Sequence, residues 1–327
     1  MTSIVTPFYN TPEEYFLPFL ESVLSQEEAE FELVIADDGS GESSRRMLDS
    51  IKDPRVKVIH KEHKGISAAR NKALEHIQGD TLVFCDSDDE LCPGTLAMID
   101  RTFTEHPEAE LLVYGWESVK LDGSVHPRPR GNGVLDRDEC FRSFCSRKDP
   151  RFDPTIVLWH MAVKVDRLGR EKLPVFDETL TNYEDGIWIA QILRRVTHTV
   201  FKDYTGYRYH HRAQSASHGV EVTERKQRNN FRACNMLLDF VEHELGRKRE
   251  YYDLMSIYFG HNQSYLKFWI KHPELKAPED LTAMLWDSIL CYWKQLLTHR
   301  TTVPWAHLKE MNPFNMLWLW SKARKLS

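Results

Sequence analysis

Thr81-Leu82-Val83-Phe84-Cys85-Asp86-Ser87-Asp88-Asp89 is an apolar run that ends in a cluster of acids. Thr81–Cys85 has the length and make-up of a buried strand, and the turn after it carries carboxylates spaced by one residue. Acids so placed at a strand end suit an oxygen-seeking cation. Mg²⁺ and Mn²⁺ are usually held by one or two carboxylates, with substrate phosphate oxygens completing the shell. The same spacing also makes an ordinary solvated turn that caps the next helix, so its meaning depends on its surroundings.

Outward from this stretch, short apolar strands alternate with helical patterns. Ser3–Thr6, Phe31–Ala36, Val56–His60 and Leu111–Trp116 read as further strands. Thr11-Pro12-Glu13-Glu14 predicts a helix start, with Thr11 as N-cap and Pro12 at the first helical position. Phe16, Leu20, Val23 and Leu24 then share one face, and Pro18 marks either a kink or a later start. Glu42–Ile51, Ile66–His76, Gly94–Glu105, Asp136–Cys145 and Glu184–Arg195 are predicted helices. Leu121–Gly133 reads as a loop, and Thr155–Val165 has strand character. Such alternation predicts an α/β fold, a mostly parallel sheet flanked by helices. Sheets of this kind bind ligands outside the carboxyl ends of their strands. Tyr9-Asn10, Asp37-Asp38 and Asp86-Ser87-Asp88 should therefore gather along one edge.

The 327 residues allow one large domain or two ordinary ones, and 41% hydrophobic content supports a real core. The formal net charge of −6 disfavours nucleic acid, whose binding rests on Lys and Arg neutralising phosphates. Six cysteines without a Cys-x-x-Cys pair read as buried free thiols in a reducing cytosol. The amino-terminal residues show no signal-peptide pattern, and no run reaches the length of a membrane span.

Three segments give the acidic turn its context. Thr6-Pro7-Phe8-Tyr9-Asn10 puts an aromatic ring at the first strand end, where it can stack on a base. Asp37-Asp38-Gly39-Ser40 offers a carboxylate for the imide proton of uracil. Lys64-Gly65-Ile66-Ser67-Ala68-Ala69-Arg70-Asn71 places Gly65 at a helix start and Arg70 one turn in. A helix N-terminus and an arginine both suit phosphate.

The order Pro-x-Tyr-Asn, Asp-Asp-Gly-Ser, Gly-x-x-x-Ala-Arg-Asn, Asp-Ser-Asp-Asp resembles the family 2 glycosyltransferases of the GT-A fold, over about residues 1–215. Phe176-Asp177-Glu178 with Glu184-Asp185, and Tyr207-Arg208-Tyr209-His210-His211 with Ser215, are similar to two later elements of that family. The resemblance implies a metal-dependent, inverting transferase using Mn²⁺ or Mg²⁺. It implies Thr6, Pro7 and Tyr9 around the base and Asp38 bonded to it. Gly65 and Arg70 would lie near the ribose-diphosphate, and Asp86 with Ser87 at the ribose. Asp88 would hold the metal, His210 (or else His211) would approach the diphosphate or metal, and Asp185 would be the catalytic base, with Glu184 its competitor. His63 stands where Asn is frequent, and Gly41-Glu42 departs from the usual residues after the Asp-Asp-Gly-Ser turn. The Gln-x-x-Arg-Trp element of processive synthases is absent, which implies single additions.

Charge gives the expected mechanism. A cation at Asp88 would offset the charge growing on the leaving diphosphate. A carboxylate such as Asp185 would take the acceptor hydroxyl's proton. Asp185 opens a helix, a position expected to favour its ionised form. His210-His211-Arg212 invites a zinc reading, but adjacent histidines on a strand face opposite ways.

Residues 216–327 are rich in aromatics at helical spacing and predict an added helical region for acceptor, membrane-surface or oligomer contacts. Met316-Leu317-Trp318-Leu319-Trp320 before Lys322, Arg324 and Lys325 suits a helix lying on an anionic membrane, a docked terminal helix or a dimer contact. The resemblance implies as partners a nucleotide-sugar donor, with UDP as the carrier, and a glycan or lipid-linked glycan acceptor of bacterial surface polysaccharide synthesis. The expected location is cytoplasmic, at the inner face of the membrane. Competing readings are an Asp-x-Asp phosphotransferase and a non-catalytic nucleotide-binding scaffold. A nicotinamide dehydrogenase is disfavoured because no Gly-x-Gly-x-x-Gly opens a helix.

Overall fold

The first strand, β1 (Thr2–Phe8), is buried at every position, as expected of a strand paired on both edges and covered on both faces. It lies parallel between β2 (Phe31–Asp37) and β4 (Thr81–Phe84), and β3 (Val56–His60) continues the parallel run beyond β2. Further along, β9 (Met161–Lys164) runs antiparallel between β4 and β6 (Leu111–Val119). Next, β10 (His198–His210) lies parallel to β6. The short strands β5 (Glu90–Leu91) and β8 (Gly133–Asp136) pair antiparallel with β10, and β7 (Val125–Arg128) with β6. The order β3-β2-β1-β4-β9-β6-β10-β5 sends the chain leftward from β1 and then back to its right. Such a reversal opens a crevice at the strands' carboxyl ends. The computed structural model describes residues 1–26, 29–146, 157–212 and 220–298, together with Leu319 and Ser321.

Pro7 sits in β1 without disturbing it. The pairing of β1 with β4 ends at Val5, so beyond that residue one edge of β1 is free of β4 and a missing N–H is tolerated there. Helix α1 (Glu13–Leu24) buries Phe16, Phe19 and Val23 and runs straight through Pro18. Pro18 is on the exposed side, where water can serve the carbonyl that its ring leaves unbonded. The predicted cap is corrected. Pro12 is the N-cap residue, and its ring has no acceptor to make a side-chain cap bond; the Thr11 hydroxyl lies 2.6 Å from Ser87 Oγ.

The remaining helices of this unit are α2 (Glu42–Asp49), α3 (Ile66–Leu74), α4 (Thr95–Glu105), α5 (Arg137–Ser146), the single turn α6 (Val165–Leu168) and α7 (Glu184–Arg195). Phe8 meets Phe16 edge-on at 5.1 Å on one side of the sheet. On the other side Phe84, Phe176 and Trp188 form a triad with centroids 5.3–5.8 Å apart, each pair contributing about 0.5–1.5 kcal/mol beyond area burial. Trp188 is 1% exposed and donates its Nε1–H to Pro174 O at 2.8 Å. That anchor fixes the start of α7, four residues before Trp188.

Three expectations change. The predicted loop Leu121–Gly133 contains β7 and the first residue of β8; all four β7 residues are exposed, so no burial pattern marked it. The strand expected over Thr155–Val165 shortens to β9, preceded by a 3-10 turn at Leu158–His160, and residues 155 and 156 lie outside the described residues. All six cysteines are free, but Cys291 is exposed rather than buried.

The chain divides into two compact units, Met1–Ser143 with Lys148–Ser215, and Phe144–Arg147 with Ala216–Ser327. The second unit holds α8 (Val220–Leu245), α9 (Arg249–Lys271) and α10 (Glu279–Thr298). Trp269, Leu281 and Leu285 are its buried cluster. Polar pairs lock it, among them Trp269 Nε1–H to Gln227 at 2.8 Å and Asn262 to Ser288 at 2.9 Å. Among the described residues no helix is long and apolar enough to cross a membrane. Apart from Leu319 and Ser321, the amphipathic stretch at 316–325 lies outside the described residues.

Candidate active site

Thr6 and Pro7 are inside β1 and buried, and only Tyr9 and Asn10 emerge from its end. Asn10 adopts φ +49, receives Gly41 N–H at 2.8 Å and donates its own N–H to Ser40 Oγ at 2.9 Å. The first two crossover loops are thereby stitched together. Tyr9, half exposed, stacks on His63 with centroids 4.3 Å apart.

Asp38 is 3% exposed and fully engaged. It accepts from Lys61 Nζ, from the Lys64 and Gly65 main-chain N–H groups at 2.9 and 2.8 Å, and faces His63 Nδ1 at 2.7 Å. A carboxylate offers about four acceptor positions, and here the chain's own donors fill them. Burial pushes the acid up, but Lys61 and the two backbone donors outweigh it and leave it lowered. Asp38 thus fixes the approach to α3, where Gly65 has φ +96. A cleft of about 440 Å³ lies alongside, lined by Ser40, Arg45, His60, Lys61 and His63 among others.

Arg70, on α3, is no surface residue. It is 5% exposed and donates to Glu184 Oε1 at 2.5 Å and to Asp86 Oδ1 at 3.3 Å. Burial opposes its charge, but Glu184, Asp86 and Asp185 outweigh that and raise its pKa. Asn71 ties the same helix to the segment before α7, exchanging bonds of 3.0 and 2.8 Å with the Phe176 main chain. The acids of α7 are in this way carried to the acidic turn after β4. The expectation for Asp185 is overturned in one respect. Tyr183 is the N-cap of α7, and Asp185 accepts only the Gly186 N–H, at 2.9 Å, among the bonds described. Burial and the negative charges of Glu184 and Asp86 win over Arg70 and Gly186, and its carboxyl is pushed up to about 8. Helix-start stabilisation, worth about 0.3–1 kcal/mol, is too small to reverse that.

The acidic turn is clamped to β10. Tyr207 Oη donates to Asp89 Oδ2 at 2.8 Å and accepts the Asp86 N–H at 3.2 Å. Asp89 Oδ1 accepts the His210 N–H at 2.8 Å. Asp89 is 1% exposed; burial, Asp88 and Asp86 push its acid well up. The His210 ring, expected near the diphosphate or metal, has its Nε2 on Glu90 at 2.6 Å. His211 Nε2 meets Lys120 Nζ at 2.8 Å. Asp88 is 40% exposed at the rim, 3.9 Å from Arg212 Nε.

The profile of glycosyl transferase family 2 matches residues 3–148. Residues 3–148, a little under half of the chain, are thus similar to glycosyl transferase family 2. A relative from Escherichia coli K12, the uncharacterized glycosyltransferase YibD, is 24% identical over 97% of this chain and 92% of its own length. The E. coli UDP-Glc:alpha-D-GlcNAc-diphosphoundecaprenol beta-1,3-glucosyltransferase WfgD is 38% identical over 30% of this chain and 39% of itself. The crystal structure of S. aureus TarS 1-349 in complex with UDP-GlcNAc shares the fold, with 17% identity, TM-score 0.56 and 93% of each chain covered.

Tyr9, Asp38, Gly65, Arg70, Asp86, Ser87, Asp88, Glu184 and Asp185 all lie on elements that meet at one rim of the sheet. Among the described residues no three His, Cys, Asp or Glu side chains are grouped to hold a metal ion. Burial and then Asp86 push the Asp88 acid up, and Arg212 and His210 offset this only in part, so an added cation would favour its ionised form. One or two carboxylates with open positions for phosphate oxygens fit Mg²⁺ or Mn²⁺, which rarely rely on an all-protein cage. Sequence reading missed Tyr207 and Asp89 as the clamp of this turn and Arg212 as the cation beside Asp88. Only the aromatic-basic run 207–212 hinted at them, and it did not say which side chain faces the turn.

Proposed function

We propose that this chain transfers a sugar from a nucleotide-sugar donor, with uridine diphosphate as carrier, to a hydroxyl of a glycan or lipid-linked glycan during surface polysaccharide synthesis. The observation that carries the reading is the Asp86–Arg70–Glu184 linkage, with Asp185 next in sequence. It joins the acidic turn after β4 to the acids of α7 across the crevice beside β1. UDP-Glc in the name of WfgD and UDP-GlcNAc in the TarS complex support the carrier.

Tyr9 supplies a face for the base, and Asp38 with the Gly65 turn orders the loop beneath it. Asp88, with Asp86, is the side chain that would hold Mn²⁺ or Mg²⁺. When bound, that cation would lower the cost of charge building on the departing diphosphate. Asp185 receives the acceptor hydroxyl's proton as the oxygen attacks the anomeric carbon, a role worth about 10²–10⁴-fold. Attack from the face opposite the leaving group inverts that centre. Arg70 keeps Glu184 and Asp86 paired, so that Asp185 is the α7 acid left to exchange a proton.

The test is a thermal-shift and hydrolysis screen of nucleotide sugars with Mn²⁺. Stabilisation by UDP with Mn²⁺, and not by NAD, is expected from mass action on the folded state. No shift and no turnover with any nucleotide sugar would reject the proposal.

A further inference from the structure

The end of β10 holds an arginine whose surroundings are only half completed. The guanidinium of Arg212 lies 4.0 Å from the centroid of the Tyr15 ring on α1. It donates through Nη2 to the main-chain carbonyl of Asp88. These two contacts hold it, one by cation–π attraction and one by a hydrogen bond. Its nearest carboxylate oxygen, Asp88 Oδ2, is 3.9 Å from Nε, beyond hydrogen-bond length, and the side chain is only 19% exposed. Nε is buried and has no hydrogen-bond partner among the described residues. A covered cation with an unspent donor is costly unless an anion completes it. The carboxyl ends of β1, β4 and β10 surround the same rim, so the anion available there is the one that reaches the Asp86-Ser87-Asp88 turn.

We infer that Arg212 binds the diphosphate of the donor and steadies the leaving group through a planar two-donor contact. The inference rests on the nucleotide-sugar reading above and adds a residue which that reading does not use. Guanidinium suits the role: its fork matches phosphate oxygens, and its flat face suits the Tyr15 seat, whereas a lysine ammonium offers only a point charge.

The test is calorimetric titration of uridine and UDP into the full chain, Arg212→Ala and Arg212→Lys, in Mn²⁺ and again in EDTA. Uridine should bind all three alike. UDP should bind Arg212→Ala roughly 10- to 100-fold more weakly in both buffers, as for a lost bond to a charged group. Arg212→Lys should fall between, and it carries the test if the alanine variant does not fold. UDP binding by Arg212→Ala equal to that of the parent overturns the assignment. So does a loss confined to Mn²⁺ buffer, which would trace the effect to Asp88. A parent chain that binds UDP no better than uridine would instead sink the nucleotide-sugar reading itself.

Discussion

Arg70 on α3 donates to Glu184 Oε1 on α7 at 2.5 Å, with 6% and 7% of the two side chains exposed. A buried ion pair is poor ground for claiming net stability, because desolvation offsets the attraction. Its value here is positional. Arg70 also reaches Asp86, so one guanidinium sets the distance between the acidic turn and the helix that carries Asp185.

Removing one partner should therefore cost far more than the pair itself contributes. Arg70→Leu strands Glu184 and should lower unfolding free energy by about 3–5 kcal/mol, read from urea denaturation. An unchanged urea midpoint would mean that Glu184 finds another cation or water, and that the linkage is loose.

The raised Asp185 acid should appear in two pH profiles. Between its ordinary value of 3.8 and about 8, the folded chain keeps a proton that the unfolded chain has released. Folding stability should accordingly fall as pH rises through that window. Asp185→Asn should flatten this decline. A proton acceptor must be ionised, so kcat/KM of the parent should climb toward pH 8. The asparagine variant should lose that limb and about 10²-fold or more in rate, while UDP still shifts its melting temperature. A parent profile flat from pH 5 to 9 would remove Asp185 from the role.

Tyr207→Phe removes a single oxygen that serves both the Asp86 N–H and Asp89. With the tyrosine 0% exposed, water cannot replace it, and a loss of about 1–3 kcal/mol is expected by chemical denaturation. A change within experimental error would show that Asp89 alone holds the turn to β10.

Gly39 has φ +76, and a Cβ there would meet His63 N at 2.7 Å. Gly39→Ala combines a left-handed penalty of about 1–2 kcal/mol with displacement of the strand-to-helix segment carrying His63. Stability and UDP affinity should both fall; a stabilised variant would mean that this segment moves freely.

Local pattern carried much of the architecture. The apolar runs 3–6, 31–36, 56–60, 81–85 and 111–116 marked the strands, since burial on both faces demands unbroken apolar stretches. Two-residue β5 and fully exposed β7 left no such mark, because pairing there rests on backbone bonds that any side chain permits. The acids of the site were likewise visible as motifs, each at a strand or helix end.

By itself the sequence determined the α/β class and the rim where Tyr9, Asp38, Asp86, Asp88 and Asp185 lie, because these follow from local periodicity and from residue types at strand ends. Only the tertiary structure decided what each group faces: Asp38 filled by the chain's own donors, His210 turned to Glu90, Asp185 pushed up rather than held ionised, and Arg212 set against Asp88. Partnership and desolvation depend on residues 16 to 124 positions apart in the chain, and no local window contains both members of such a pair.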